Sequence, residues 1–152
     1  KLNFKIGAVI ENRKGIENIE SILEEVDFIS IGTNDLLQEM QGASRKDLVE
    51  DDKLYLHPDF LTAVKYCCMK SHEKGKPVSV CGEMASDFSA AVLLIGMGVD
   101  GLSMHPAKIT AHKELIRKIS YQDSKEVLDQ VLKKLDEREV ADIVNEWLRS
   151  LI

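Results

Sequence analysis

Reactive side chains follow three short apolar runs in this sequence, each at the position where a β-strand is expected to end. Glu11 follows the first run, and Asn34 and Asp35 stand in the turn after the second. Cys81 and Glu83 follow the third run. In parallel α/β architectures the carboxyl ends of the strands lie at one rim, which is where ligands bind. The sequence therefore predicts that three strands deliver these side chains to a single site.

Two of these side chains are carboxylates that could share a divalent ion. Mg²⁺ prefers hard oxygen ligands, usually one or two carboxylates together with substrate oxygens and water. Either Glu11 or Asp35 could instead cap the helix that follows it, and each residue taken alone fits both interpretations. Their occurrence at two successive strand ends favours the metal.

The turn from Gly32 to Asp35 offers an anion site. Its backbone N–H groups stand at the predicted start of a helix, where the helix dipole favours negative charge. Arg45 lies downstream and could add a bidentate contact to a phosphate. For Arg45 alone, a solvated surface arginine is the simpler interpretation.

The three cysteines are expected to differ in role. Cys81 stands beside Gly82 at a strand end, where an accessible thiol could act as a proton donor or a nucleophile. Cys67 and Cys68 lie within a predicted helix and are expected to pack in the core. An odd number of cysteines without a C-x-x-C pair predicts reduced thiols in a cytoplasmic protein.

Strand and helix patterns alternate along the chain, which predicts an α/β fold with parallel strands joined by helical crossovers. The predicted strands are residues 6–10, 28–31, 77–80 and 99–104, and the predicted helices are residues 15–26, 58–74, 87–97 and 109–119. Residues 123–152 form a charged amphipathic tail, read as one long or two short helices. Asp123 and Glu126 resemble a capping box. The tail could pack back on the preceding elements or serve an oligomer interface.

Composition limits the classes of partner. The chain has 152 residues, 44% of them hydrophobic and 30% charged, which suits one globular domain. A net charge of -6 argues against nucleic acid or an anionic membrane as a partner, but it does not exclude a small anionic ligand. No apolar run is long enough to span a bilayer, and no signal-peptide pattern is present.

Two motifs carry a resemblance to a known family. The segment from Asp27 to Gln38, with the trailing Arg45, resembles the signature of the phosphoenolpyruvate-utilising enzymes. The segment from Cys81 to Ala85 is similar to the catalytic-cysteine motif of enzyme I of the bacterial sugar phosphotransferase system. The Leu56-His57-Pro58 run also favours that branch over pyruvate phosphate dikinase or phosphoenolpyruvate synthase.

The resemblance implies a fold and a function. Residues 1–120 would be the C-terminal half, four βα units, of a TIM (β/α)₈ barrel of the phosphoenolpyruvate/pyruvate type, and residues 121–152 would be C-terminal helices. The chain would be the phosphoenolpyruvate-binding portion of an enzyme that transfers the phosphoryl group to a protein histidine and releases pyruvate. A whole barrel of this type needs about 250 residues, so we expect no turnover by this chain alone.

The resemblance also assigns roles to the candidate side chains. Cys81 would be the acid that protonates the methylene carbon of the enolpyruvate. The other implied roles are Glu11 and Asp35 as Mg²⁺ ligands, Asn34 and Arg45 as groups that hold the substrate phosphate, and Glu83 as a substrate-side neighbour that tunes the cysteine. The implied partners are phosphoenolpyruvate, a phosphocarrier protein bound through other domains, and a second copy in a homodimer.

Two segments depart from the family pattern. Asn12 to Gly15 replaces a hydrophobic residue and proline, and looks more like the pyruvate kinase turn after its metal-binding glutamate. Glu39 to Gln41 replaces aromatic or aliphatic residues, and Ala43 and Ser44 replace Val-Asp before Arg45. Two alternatives therefore stay open. The chain could be a fragment of a dikinase or synthase, or it could be a non-catalytic dimerisation or regulatory module.

Overall fold

The structure, a computed structural model, describes residues 4 to 42 and 53 to 151. Its centre is a four-stranded sheet in which every neighbouring pair is parallel and the spatial order follows the chain. The strands are β1 (Gly7–Ile10), β2 (Phe28–Gly32), β3 (Val78–Cys81) and β4 (Gly101–Ser103). The predicted α/β fold with four parallel strands is confirmed.

Eight α-helices occur within the described ranges, most of them as crossovers between the strands. They are α1 (Arg13–Glu17), α2 (Ile19–Glu25), α3 (Thr33–Gln41), α4 (Pro58–Glu73), α5 (Phe88–Gly96), α6 (Pro106–Lys118), α7 (Tyr121–Val131) and α8 (Glu137–Arg149). Short 3₁₀ helices at Leu54–Leu56 and Glu83–Ser86 precede α4 and α5.

The helix predicted over residues 15–26 is two helices that meet at Asn18. The Asn12 side chain accepts a hydrogen bond from the Gly15 N–H at 2.8 Å, so α1 begins before the predicted position. The Asn18 side chain donates to the Lys14 carbonyl at 2.8 Å. Asparagine competes in this way with the helical ladder, and α1 ends there.

The tail also differs in detail from the prediction. Its capping box is formed by Ser120 and Asp123, and not by Asp123 and Glu126, so α7 starts at Tyr121. A second helix, α8, begins after Asp136, whose carboxylate accepts two backbone N–H groups. The tail is therefore two helices.

Only one face of the sheet is covered by the described helices. Ile31 and Val80 on that face are fully buried, whereas Val9 on the opposite face is 56% exposed and Phe28 is 38% exposed. Parallel sheets usually have both faces covered. The tail does not cover the open face, because α7 packs on α5 and shares the core on the helix side.

Close packing of α7 depends on Gly96 in α5. A Cβ atom at this position would lie 2.5 Å from the Ser124 carbonyl oxygen, so a side chain there would separate the two helices. Val127 and Leu128 of α7 are buried in the core that α5 contributes. The prediction that the tail packs back on the preceding elements is confirmed.

None of the helices in the two described ranges combines the length and the apolar character required of a membrane span.

Asp100 ties the start of β3 to the end of α4. Its carboxylate accepts the Val78 N–H at 2.9 Å and lies 3.2 Å from His72 Nε2. Burial raises the pKa of Asp100, but the Val78 N–H and His72 outweigh burial, so the pKa lies below its usual value. A carboxylate whose pKa is lowered by folding stabilises the fold at pH values above its unfolded-state pKa. That stabilisation is lost as the pH falls through its folded-state pKa.

We therefore predict that Asp100→Asn lowers the free energy of unfolding near neutral pH, and that the deficit shrinks below about pH 3. Urea unfolding of both proteins, near neutral pH and below about pH 3, measures this difference in the free energy of unfolding. Asp142→Asn is the control, since Asp142 is an exposed carboxylate in α8 with no hydrogen bond or ion pair among the described residues. A deficit of equal size at both pH values would contradict the role of the charge.

Candidate active site

The ends of the four strands bring candidate side chains onto one level of the sheet. Gly32 pairs with Cys81, and Cys81 pairs with Ser103. The β1–β2 register pairs Ile10 with Ile31, so one further residue sets Glu11 level with Gly32. Because side chains alternate along a strand, these positions share the open face and not the helix-covered face. Two strand spacings, about 10 Å, separate the backbones of Glu11 and Cys81.

Gly32 makes room for the Glu11 side chain. A Cβ atom at position 32 would lie 3.0 Å from Glu11 Cβ and 3.4 Å from Glu11 Oε2. The Glu11 side chain therefore lies against Gly32 at the end of β2. A side chain at position 32 would displace it.

The two carboxylates do not serve as N-caps of the helices that follow them. Asn12 caps α1, so the capping interpretation of Glu11 is wrong. The N-cap of α3 is Gly32, and Asp35 lies in the first turn, where the helix dipole favours its negative charge.

Glu11 and Asp35 are both exposed, the first directly after β1 and the second in the first turn of α3. No group of three or more His, Cys, Asp or Glu side chains suited to hold a metal occurs within the described parts of the chain. A two-carboxylate arrangement fits Mg²⁺, which takes its other oxygens from substrate and water. Arg45, the predicted phosphate ligand, lies outside the described residues.

Hydrogen bonds join the turn after β2 to the turn after β3. The Thr33 hydroxyl donates to the Cys81 carbonyl at 2.6 Å, and the Glu83 N–H donates to Asn34 Oδ1 at 3.0 Å. Since only the amide oxygen can accept this N–H, the orientation of the Asn34 amide is fixed. The Asn34 Nδ2 group makes no hydrogen bond within the described residues. It could therefore donate a hydrogen bond to a phosphate oxygen.

Cys81 is half-buried, and its thiol lies on the backbone of the neighbouring strand. Cys81 Sγ is 3.6 Å from the Ile31 carbonyl oxygen. Only a protonated thiol can donate this hydrogen bond. The contact places the sulfur beside the end of β2.

Glu83 is engaged through its backbone and not through its carboxylate. Its N–H donates to Asn34, while the side chain is exposed and makes no hydrogen bond or ion pair among the described residues. No direct contact between the Glu83 carboxylate and Cys81 is therefore seen among the described residues. The role of Glu83 in tuning the cysteine stays a prediction.

The two segments that depart from the family pattern contact each other. The Arg13 N–H donates to Glu39 Oε1 at 3.2 Å, and the Arg13 guanidinium donates to the Met40 carbonyl at 2.9 Å. Gln41 Nε2 donates to the Leu54 carbonyl at 3.2 Å. The substitutions thus hold the end of α3 against neighbouring backbone, which is a structural explanation for their polarity.

The sequence pattern does not predict the roles of three residues near this rim. Thr33 is fully buried and forms a hydrogen bond to the end of β3. Gly82 has a φ of 101°, a backbone conformation that favours glycine. Arg13 holds the end of α3. The position of glycine directly after Cys81 was the one signal available for the Gly82 turn.

Two cavities among the described residues lie away from this rim. One of about 300 Å³ includes Lys5, Asp27 and Gly101 and lies at the amino ends of the strands, and one of about 280 Å³ includes Phe88 and Leu148 on the helix side. Neither is lined by the candidate side chains.

The other two thiols are enclosed, as predicted. Cys67 and Cys68 are fully buried in α4, and burial raises the pKa of each thiol to about 12. We therefore predict that iodoacetamide at about pH 8 alkylates Cys81 alone in the folded chain, since the thiolate is the reactive form. Mass spectrometry of the peptides measures it, and urea-unfolded protein, where all three should react, is the control. Rapid alkylation of Cys67 or Cys68 in folded protein would contradict the burial.

Comparison with known proteins identifies a matching family and several similar relatives. Residues 1–121 match the family model described as PEP-utilising enzyme, PEP-binding domain. The chain is 35% identical over 147 residues to the phosphoenolpyruvate-protein phosphotransferase of Haemophilus influenzae, covering 96% of this chain and 26% of the relative. Identity is 37% over 147 residues with that of Buchnera aphidicola subsp. Schizaphis graminum, with the same coverage. It is 34% over 152 residues with that of Staphylococcus carnosus, covering 97% of this chain and 26% of the relative.

The chain thus spans about a quarter of the length of these curated relatives.

Proposed function

This chain belongs to the phosphoenolpyruvate-utilising enzymes, in their PEP-binding domain, and on that premise we propose that it is the substrate-binding portion of a phosphoenolpyruvate–protein phosphotransferase. The enzyme would be a longer polypeptide that takes the phosphoryl group from phosphoenolpyruvate, passes it to a protein histidine, and releases pyruvate. The names of the relatives support this reaction.

The observation that carries the proposal is the shared level of Glu11 and Cys81 on the open face of the sheet. Gly32 stands on the strand between them, and its lack of a side chain makes room for the Glu11 carboxylate. An enol phosphate needs charge stabilisation at its phosphoryl end and a proton at its methylene carbon. This face offers an oxygen ligand on one strand and a proton donor two strands away.

Cys81 would complete the reaction by proton transfer. The phosphoryl group leaves the enol oxygen for the acceptor, and the enolate that remains takes a proton at its methylene carbon. The S–H bond of Cys81 breaks as the C–H bond forms, which leaves pyruvate and a thiolate that solvent reprotonates. Asn34 Nδ2 would donate to a phosphoryl oxygen, and Arg45 would pair with the same group.

Glu11 and Asp35 would hold Mg²⁺. The fit rests on two exposed carboxylates, one directly after β1 and one in the first turn of α3, with the Glu11 side chain against Gly32. When bound, Mg²⁺ would neutralise charge on the phosphoryl and carboxylate oxygens of the substrate.

We propose that the four strands form the C-terminal half of a (β/α)₈ barrel. The support is an all-parallel sheet in sequential order, helices on one face, and an opposite face that carries exposed Val9 and Phe28. In a barrel this face lies inside and is filled by side chains from all eight strands.

The wider assignment includes a cytoplasmic location, a phosphocarrier protein as partner through regions outside this chain, and a homodimer. Free thiols at Cys67, Cys68 and Cys81 support a reducing compartment. The carrier and the homodimer are proposed from the family resemblance.

The test is pyruvate formation by the full-length polypeptide with Mg²⁺, phosphoenolpyruvate and phosphocarrier protein, with the isolated 152-residue chain as the inactive comparison. Absence of both pyruvate and Mg²⁺-dependent phosphoenolpyruvate binding in the full-length polypeptide would favour a non-catalytic module. Nucleotide-dependent phosphorylation of pyruvate would favour a dikinase or synthase.

A further inference from the structure

We propose that Thr33 is a positioning residue for Cys81, whose hydroxyl fixes the Cys81 carbonyl and with it the place of the thiol. This inference rests on the proposed function in one respect, namely that Cys81 delivers a proton. The geometry behind it belongs to the chain itself.

The contact joins the first residue of α3 to the last residue of β3. Thr33 Oγ1 donates to the Cys81 carbonyl oxygen at 2.6 Å, across 48 residues of sequence. Thr33 is 1% exposed, so water does not compete for the hydroxyl. The distance is at the short end of the range for a hydroxyl donor, which indicates a well-made hydrogen bond.

The Cys81 carbonyl needs this donor because the chain leaves the sheet there. Gly82 has a φ of 101°, so the peptide after Cys81 turns away from the β-ladder. A Cβ atom at position 82 would lie 2.5 Å from Thr33 Oγ1 and 2.7 Å from Asn34 Oδ1. The turn therefore depends on glycine at position 82 and on a donor at position 33.

The thiol and the carbonyl of Cys81 both form hydrogen bonds to residues at the junction of β2 and α3. The thiol lies 3.6 Å from the Ile31 carbonyl, and the carbonyl of Cys81 receives the Thr33 hydroxyl. Rotation of the peptide between Cys81 and Gly82 would move the thiol relative to the Ile31 carbonyl. Proton transfer is sensitive to such movement, since a displacement of about 1 Å can cost about a hundredfold in rate.

Thr33→Val keeps the shape of the side chain and removes the donor, and Thr33→Ser keeps the donor. In the full-length polypeptide we expect Thr33→Val to lower kcat for pyruvate formation by about tenfold to a hundredfold, with a change in KM of less than about twofold. Thr33→Ser should restore most of the rate. Thr62→Val, the same change at an exposed position of α4, is the control and should leave both constants unchanged.

A second readout does not depend on turnover. The rate of Cys81 alkylation by iodoacetamide across pH reports the surroundings of the thiol. Thr33→Val should change that rate about threefold or more, and Thr33→Ser should return it toward the parent profile. Circular dichroism confirms that each variant is folded. Gly82→Ala approaches the same contact from the other side and should change the alkylation rate likewise if Thr33→Val does not fold.

The outcomes separate the two proposals. If the unsubstituted polypeptide is active, the role of Thr33 is overturned by an unchanged kcat in Thr33→Val or by failure of Thr33→Ser to restore the rate. An unaltered Cys81 alkylation profile in Thr33→Val would overturn it as well. A parent that neither binds phosphoenolpyruvate nor forms pyruvate would overturn the proposed function, and the alkylation profile would still decide whether Thr33 positions Cys81.

Discussion

Cys81→Ala is expected to lower pyruvate formation by the full-length polypeptide by a factor of about 10² to 10⁴ while phosphoenolpyruvate still binds. The thiol is the one side chain at this level of the sheet that we assign as a proton donor. The carboxylates that would hold Mg²⁺ and the Asn34 amide that would bind the phosphate lie after β1 and in the first turn of α3. Removing the sulfur therefore takes away the proton and leaves the binding groups. A coupled assay for pyruvate and calorimetry with phosphoenolpyruvate measure the two parts separately.

The matched control is Cys68→Ala, the same chemical change at a fully buried position in α4. It should lower stability through the cavity that it leaves, and retain kcat below its unfolding temperature. If Cys81→Ala retains the parent rate, the thiol is not the acid. If instead Cys81→Ala loses phosphoenolpyruvate binding as well, the cysteine supports the site and does not serve only in proton transfer.

Glu11→Gln is expected to weaken Mg²⁺-dependent binding of phosphoenolpyruvate by at least about tenfold, which corresponds to about 1.4 kcal/mol. The substitution keeps the size of the side chain against Gly32 and removes the charge that Mg²⁺ prefers. Calorimetry with phosphoenolpyruvate, with and without Mg²⁺, measures it on the full-length polypeptide.

Glu17→Gln is the control for Glu11, because Glu17 is an exposed carboxylate of α1 without a hydrogen bond or ion pair in the described ranges. It should bind like the parent protein. Binding by the parent that is equally strong without Mg²⁺ would show that Glu11 has no metal to hold, and equal weakening by both variants would point to a general effect of charge.

The level of the site on the sheet follows from local pattern. Apolar runs that end at Glu11, Gly32 and Cys81 predict parallel strands, whose carboxyl ends then lie at one rim. The burial of Cys67 and Cys68 followed in the same way from their position within a helix. These features depend on residues close together in sequence, which is why they could be predicted.

Contacts between distant residues could not be predicted in this way. The Thr33 hydroxyl meets the Cys81 carbonyl across 48 residues, and the type of neither residue reveals the partner. The capping box of the tail is another case, since the sequence pattern indicates Asp123 and Glu126, whereas Ser120 and Asp123 form the box in the structure. The structure selects Ser120, because α6 ends just before it at Lys118.

The polarity of residues 39–41 shows how function can be misjudged from a motif alone. Glu39 and Gln41 depart from the family pattern, which favoured a non-catalytic module as an alternative. In the structure they hold backbone groups of Arg13 and Leu54. Their polarity therefore has a structural explanation that leaves the rim at Glu11 and Cys81 intact.

The central claim is that Glu11, Asp35 and Cys81 surround one metal-bound substrate, and fluorine NMR on the full-length polypeptide tests it directly. A trifluoromethyl label is placed on Cys81, with any other accessible cysteine outside this chain removed, and Mn²⁺ replaces Mg²⁺ in the presence of phosphoenolpyruvate. We predict strong broadening of the Cys81 label by bound Mn²⁺, and its loss in Glu11→Gln and Asp35→Asn. A sharp label signal while Mn²⁺ is bound, or equal broadening in both variants, would contradict a shared site.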